Sequence, residues 1–112
     1  MKVYLGIRDA DGARVLVKDT ETGAVKPLEH VVRHSPTGME WGYGGSGPSD
    51  LALSILADAL GSVEAANPLY GTFKWRFIVS LDHNRWELPQ PFVLKWVRTV
   101  TGRATAPAKV LL

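Results

Sequence analysis

The chain has 112 residues, 46% of them apolar and 21% charged, with a formal net charge of +2. That length and balance suit one folded domain with a single core, and they argue against a disordered chain. Cysteine is absent, which excludes a disulfide framework and a thiolate zinc site.

The segment MKVYLGIRDADG has no apolar signal core, and no apolar run in the chain approaches spanning length. A cytoplasmic protein without a membrane partner is therefore expected. KVYLGIR and ARVLVKD alternate apolar and polar residues around Asp and Gly, the pattern of a hairpin. LEHVVRH and GMEWGY read as two further short strands divided by the turn Ser35-Pro36-Thr37-Gly38. Together these predict an antiparallel meander of about four strands. Residues 48–60 predict a helix: Pro48 suits a first turn, Asp50 complements the helix dipole, and Leu51, Ile55, Leu56 and Leu60 share one side. Gly61 ends it, and Ser62 caps a short turn, VEAAN.

LYGTFKWRFIVSL fits two periods. As a strand it puts Phe73, Trp75, Phe77, Val79 and Leu81 on one face. As a helix it aligns Tyr70, Phe73, Phe77 and Leu81, with Trp75 off the stripe. DHNR turns, WEL is extended, and Pro89 opens a helix with Phe92, Val93, Trp96, Val97 and Val100 inward, stopped by Gly102. The expected fold class is α+β, an N-terminal antiparallel sheet packed against about three helices. One globular domain spans 1–112, with 102–112 as a loosely attached tail whose VLL end could add a strand.

Residues 42–50, GYGGSGPSD, are the stretch most like a chemical motif. Gly42-x-Gly44-x-x-Gly47 matches the dinucleotide pattern, yet the chain is too short for two mononucleotide halves and no second parallel strand follows. A triphosphatase loop fails because Pro48 stands where its lysine must be. A nucleophile elbow fails because position 48 is not glycine, and no sequence spacing pairs Ser46 with His34. Gly44, Gly45, Ser46 and Gly47 remain a candidate anion-binding loop at a helix start, although Asp50 nearby would repel a phosphate. The plainer reading is a tight turn, in which Gly44, Gly45 and Gly47 adopt angles closed to other residues while Trp41 and Tyr43 pack sheet against helix. His30, His34 and His83 offer no helical metal pair. No catalytic residue, metal or cofactor is expected.

The stretch HSPTGMEWGYGGSGPSDLALSIL resembles the signature of a family of small bacterial and phage proteins, a domain of unknown function. The form expected there is hSPTGFxWGYxGSGPxxLALxLL. A later YxxFKxxxxxxLxxxxWxL stretch is met by Tyr70, Phe73, Lys74, Leu81, Trp86 and Leu88. Met39 replaces a usual phenylalanine, and Pro89-Gln90-Pro91 replaces a more polar helix start. The resemblance spans roughly residues 2–97. It implies a helix over 69–81 and carriage by phages or mobile elements, and it carries no activity with it.

Charge is unevenly placed. Residues 1–66 hold six basic and nine acidic side chains, net −3, and residues 67–112 hold seven and two, net +5. In the basic half, Lys74-Trp75-Arg76 and Lys95-Trp96 with Arg98 interleave aromatic rings with cations, the ingredients of single-strand binding. Trp86 and Trp96 are more economically core residues with snorkelling neighbours. Trp75 is the off-stripe exception and a candidate contact residue. Three functions follow as expectations. The first is a non-enzymatic protein of phage or mobile-element origin that docks a host protein and modulates it, as a host-takeover or anti-defence inhibitor would. The second is a nucleic-acid-binding accessory protein using Lys74, Trp75, Arg76, Lys95 and Arg98. The third is a small ligand-binding domain or enzyme centred on the GYGGSGP loop.

Overall fold

The computed structural model describes residues 1–102; the expectation for the tail falls outside them. Strands β1 (Lys2–Asp9) and β2 (Gly12–Asp19) form the expected hairpin, with Gly6 opposite Val15 and Tyr4 opposite Val17. A three-residue strand, β3 (Val25–Pro27), continues on one edge. The other edge is filled from far along the chain by β4 (Arg85–Pro89), which sets Trp86 against Gly6 and Leu88 against Tyr4. The sheet order is β3-β2-β1-β4, with every neighbour antiparallel.

Period-two alternation gathers the sheet's core face from three strands: Tyr4 and Gly6, Val15 and Val17, Trp86 and Leu88. Gly6 is required there, because a Cβ at that position would lie 2.1 Å from the Trp86 indole nitrogen. Against this face packs α1 (Ser46–Leu60). Its residues 47–56 are all buried, so α1 is a central helix rather than the one-striped surface helix that its leucines predict. Helices α2 (Val63–Ala66), α3 (Tyr70–Arg76) and α4 (Gln90–Thr101) contact α1, and α4 also reaches β1 and β4. Ser62 caps α2 by accepting from the Ala65 N–H.

The segment LYGTFKWRFIVSL is helical over Tyr70–Arg76 and passes into a 3-10 turn over Ile78–Ser80. Phe73 and Phe77 meet the Trp96 ring of α4 at centroid distances of 5.2 and 5.8 Å. Trp86 is core, in an edge contact with Trp41 at 5.6 Å. Val93 and Val97 of α4 are buried as expected, whereas Phe92 and Val100 are exposed.

LEHVVRH and GMEWGY are not strands. Residues 28–45 form one long irregular segment between β3 and α1. The apolar alternation of EHVVRH misleads because its backbone donors are taken by side chains of α1. Val31 N–H donates to the Ser54 hydroxyl, and the N–H groups of Arg33, His34 and Ser35 donate to the Asp50 carboxylate. The four N–H groups so engaged are not available to a ladder.

Candidate functional site

Asp50 is the first correction to the sequence reading of this region. It lies at the fifth residue of α1 and is fully buried, so it does not complement the helix start. Its Oδ1 accepts from His34 N–H at 2.9 Å. Oδ2 accepts from Ser35 N–H at 3.0 Å and Arg33 N–H at 3.2 Å, and lies 2.8 Å from the His30 Nε2. Burial acts to raise its pKa, but the hydrogen bond from His30 and those from the three backbone N–H groups outweigh it and hold the carboxyl below its usual value. Asp50 and His30 together organise the segment that leads to the glycine loop. His34 does not approach Ser46; its Nε2 lies 2.9 Å from the Tyr70 hydroxyl.

The next stretch is clamped from the sheet. Arg8 of β1 donates through both terminal nitrogens to Glu40, at 2.7 and 3.1 Å, and through Nε to the His83 carbonyl at 3.0 Å. Its guanidinium lies 4.6 Å from the Trp41 ring centroid. Trp41, itself buried, donates from its indole to the carbonyls of Asp82 and His83. The bidentate bond to Glu40 raises the Arg8 pKa, so that guanidinium stays charged.

The glycine loop owes its composition to crowding rather than to unusual angles. Gly42 has a left-handed φ of 87°, but Gly44, Gly45 and Gly47 do not have positive φ. Each instead leaves room for a side chain. A Cβ on Gly44 would lie 2.4 Å from the rim of the Trp75 indole, one on Gly45 2.5 Å from the Tyr43 ring, and one on Gly47 2.7 Å from the Glu40 Cβ. Tyr43 is 52% exposed and does not pack sheet against helix as expected. Trp41 does.

Trp75 therefore stands against the glycine loop. It is 63% exposed, with its rim on Gly44 and the Lys74 ammonium 4.7 Å from its centroid. Arg76 lies over Phe77 at 5.5 Å. Gly71, Thr72, Trp75 and Arg76 line an open groove on the outer side of α3. Lys74, Arg76, Lys95 and Arg98 make no ion pair among the described residues. Lys95 and Arg98 stand on α4, and no hydrogen bond, ion pair or ring contact joins them to Trp75 or to the loop. The five residues proposed from sequence thus divide: Trp75 stands beside the glycine loop, Lys74 and Arg76 flank it on α3, and Lys95 and Arg98 stand apart on α4. Tyr43 completes the exposed aromatic surface. Its adjacency to the glycines was the only sequence signal for it.

A second feature opens at the start of α1. Ser35, Thr37, Glu40, Tyr43, Ser46 and Gly47 line a polar cleft of about 300 Å³. The main-chain N–H groups of Ser46 and Gly47 belong to the first turn and have no partner within the helix.

These features define a small α+β domain: an all-antiparallel sheet of four strands, a buried central helix, and an aromatic and glycine surface where the 42–45 loop meets α3. The chain belongs to the Family of unknown function (DUF6166), which it matches over residues 4–99. Neither the curated proteins nor the solved structures provide a match. Among the described residues, no helix is long and apolar enough to cross a membrane.

Proposed function

We propose that this domain is a non-enzymatic binding protein whose contact surface is Trp75 with Tyr43 and the Gly44–Gly45 backbone, flanked by Lys74 and Arg76. One observation carries the reading. Trp75 is the most exposed large apolar side chain among the described residues, at 63%, and it stands beside Gly44 with the Lys74 ammonium 4.7 Å from its ring centroid. A tryptophan has only two side-chain torsions to order on association, and tryptophan, tyrosine and arginine dominate the energetics of protein interfaces. Burial of a tryptophan needs no such placement. The partner this suits is a protein. A host protein modulated by a phage or mobile-element product is the specific form that the family resemblance implies.

Nucleic acid is the weaker partner. Its stacking platform would be the Trp75 ring, which the Lys74 ammonium already approaches, and the α4 cations Lys95 and Arg98 do not converge on that ring. The test is capture from a bacterial lysate with tagged wild-type protein and with Trp75→Ala, each with and without nuclease. The expected result is a stoichiometric protein that survives nuclease and is lost from the variant. With nearly two thirds of the ring in water, truncation costs the fold no more than about 2 kcal/mol of lost burial, so the variant stays folded. Equal capture by both proteins refutes the surface, and nuclease-sensitive capture replaces it with the nucleic-acid reading.

A further inference from the structure

The seam between α3 and α4 leaves a stripe of apolar side chains in water. A spacing of four residues puts Phe92, Trp96 and Val100 along one side of α4. Phe92 is 44% exposed and Val100 48%, while Trp96 is half-buried against Phe73. The half-buried Phe77 ring joins them, its centroid 5.2 Å from that of Phe92 and 5.8 Å from that of Trp96. These contacts make the patch contiguous, whereas single exposed apolar residues are common on any surface. Its charged neighbours are all cations. Neither α3, the 3-10 turn nor α4 contains an Asp or Glu, and the two helices carry Lys74, Arg76, Lys95 and Arg98. None of the four forms an ion pair among the described residues. The Arg76 guanidinium lies 5.5 Å from the Phe77 centroid, and Lys95 follows Phe92 by three residues, so both cations flank the rings.

We propose that this stripe docks an acidic segment of a partner protein, one that sets apolar side chains over Phe77, Phe92 and Val100 and carboxylates beside Arg76 and Lys95. Charge complementarity selects that occupant. A second copy meeting the same stripe would oppose one carboxylate-free pair of helices to another. Residues 103–112 hold Arg103 and Lys109 and no Asp or Glu, so their side chains offer the stripe no counter-charge. A membrane takes up the whole apolar face of an amphipathic helix, but Val93 and Val97 of α4 are buried inside this domain. A nucleic acid would meet the cations and leave Phe92 and Val100 uncovered. The stripe shares only Arg76 with the Trp75 surface, so either reading can fail alone.

The probes are amphipathic peptides of about 15 residues, long enough to hold a helix. All share the same leucine and phenylalanine positions, and the remaining positions are rich in Glu, in Gln or in Lys. Fluorescence anisotropy of labelled peptide with the full chain reads affinity, and amide-resolved NMR reads location. The Glu peptide is expected to bind saturably and about tenfold tighter than the Gln peptide, with the Lys peptide weakest and the shifts centred on residues 92–100. Phe92→Ser combined with Val100→Ser is expected to weaken the Glu peptide about tenfold. Lys95→Glu changes an exposed side chain with no ion pair among the described residues, leaves the packing of α4 intact, and is expected to weaken it about fivefold. Equal binding of the three peptides, or unchanged affinity in both variants, overturns the site. Shifts centred on Tyr43 and Trp75 overturn it too, while leaving the Trp75 surface standing. Dimers in sedimentation that the serine variant abolishes assign the stripe to a second copy and overturn the proposal. Cosedimentation with phosphatidylserine vesicles that the same variant abolishes assigns it to a membrane, with the same consequence. Tighter peptide binding after Val110→Ser, Leu111→Ser and Leu112→Ser together assigns the stripe to the chain's own end, and this also overturns the proposal.

Discussion

Asp50→Asn tests whether one buried carboxylate builds the segment that carries the candidate sites. An asparagine offers one oxygen where aspartate offers two. Its best placement puts that oxygen at the Oδ2 position, keeping the partners His30, Arg33 and Ser35, and leaves the amide NH2 facing the His34 N–H across 2.9 Å. One buried donor then faces another, a loss of about 1–3 kcal/mol. The three surviving bonds lose their ionic character, which costs roughly 0.5–1 kcal/mol each before the easier burial of a neutral amide offsets part of it. The net is about 2–4 kcal/mol, or a fall in Tm of about 8–16 °C for a domain of this length. Thermal and urea unfolding at neutral pH measure it. The sign of the pH dependence follows from the lowered folded-state pKa, set against an ordinary value of 3.8. The Asp50 contribution is fully present above that ordinary value and is lost as pH falls through the lower folded one. Wild type should therefore lose more stability than the variant on acidification through this window. A variant melting within about 2 °C of wild type would refute the account of Asp50 as the hub of residues 30–35.

Two further substitutions probe close approaches. Gly6→Ala sets a methyl 2.1 Å from the Trp86 indole nitrogen, in a core where Trp86 already leans on Trp41. It should cost about 1–3 kcal/mol as overpacking, visible as a lower Tm and an altered near-ultraviolet circular dichroism signal. Unchanged values would show that Trp86 has room to move. Gly47→Val drives its Cβ to 2.7 Å from the Glu40 Cβ and 3.2 Å from its backbone nitrogen, so it should destabilise the fold by about 2 kcal/mol or more. A Gly47→Val protein with wild-type stability and lost binding would instead make the loop a site and not a scaffold.

What the sequence shows here is what is decided locally. The β1–β2 hairpin follows from alternation around Asp11-Gly12, and α1 and α4 follow from helical spacing ended by Gly61 and Gly102, both with left-handed φ in the structure. The off-stripe position of Trp75 is legible for the same reason, since a helix over 70–76 turns it away from Phe73. What could not be read depends on partners distant in the chain. β4 pairs with β1 across about 80 residues, and the alternation of Trp86 and Leu88 identifies a strand without saying which edge it fills. EHVVRH has a strand's pattern and the backbone partners of a loop, because Asp50 and Ser54 lie 15–23 residues further on. Lys95 and Arg98 share a charge sign and a half of the chain with Lys74 and Arg76, but composition cannot place two helices on a common face.

The glycine stretch shows why a motif and its geometry can part company. The spacing of Gly42, Gly44 and Gly47 satisfies a phosphate-binding pattern, yet that pattern works by passing from a parallel strand into a helix, and here an irregular segment enters α1 beside an antiparallel sheet. What the glycines provide instead is the absence of side chains on three sides: toward Trp75, toward the Tyr43 ring and toward Glu40. The first contact ties the loop to α3, and the last seats it over the Arg8–Glu40 pair on the sheet. Gly42 N–H adds a bond to the Ile78 carbonyl just beyond α3. The loop is therefore held by α3, by β1 and by α1 at once, so the exposed aromatic surface and the cleft at the start of α1 are two sides of one braced segment. A loop held on three sides has less freedom to lose when a partner docks on it. None of Gly44, Gly45 and Gly47 has a positive φ. Crowding demands glycine most firmly at Gly47, where a Cβ would meet the Glu40 Cβ and backbone nitrogen, whereas Gly44 and Gly45 face the exposed rings of Trp75 and Tyr43.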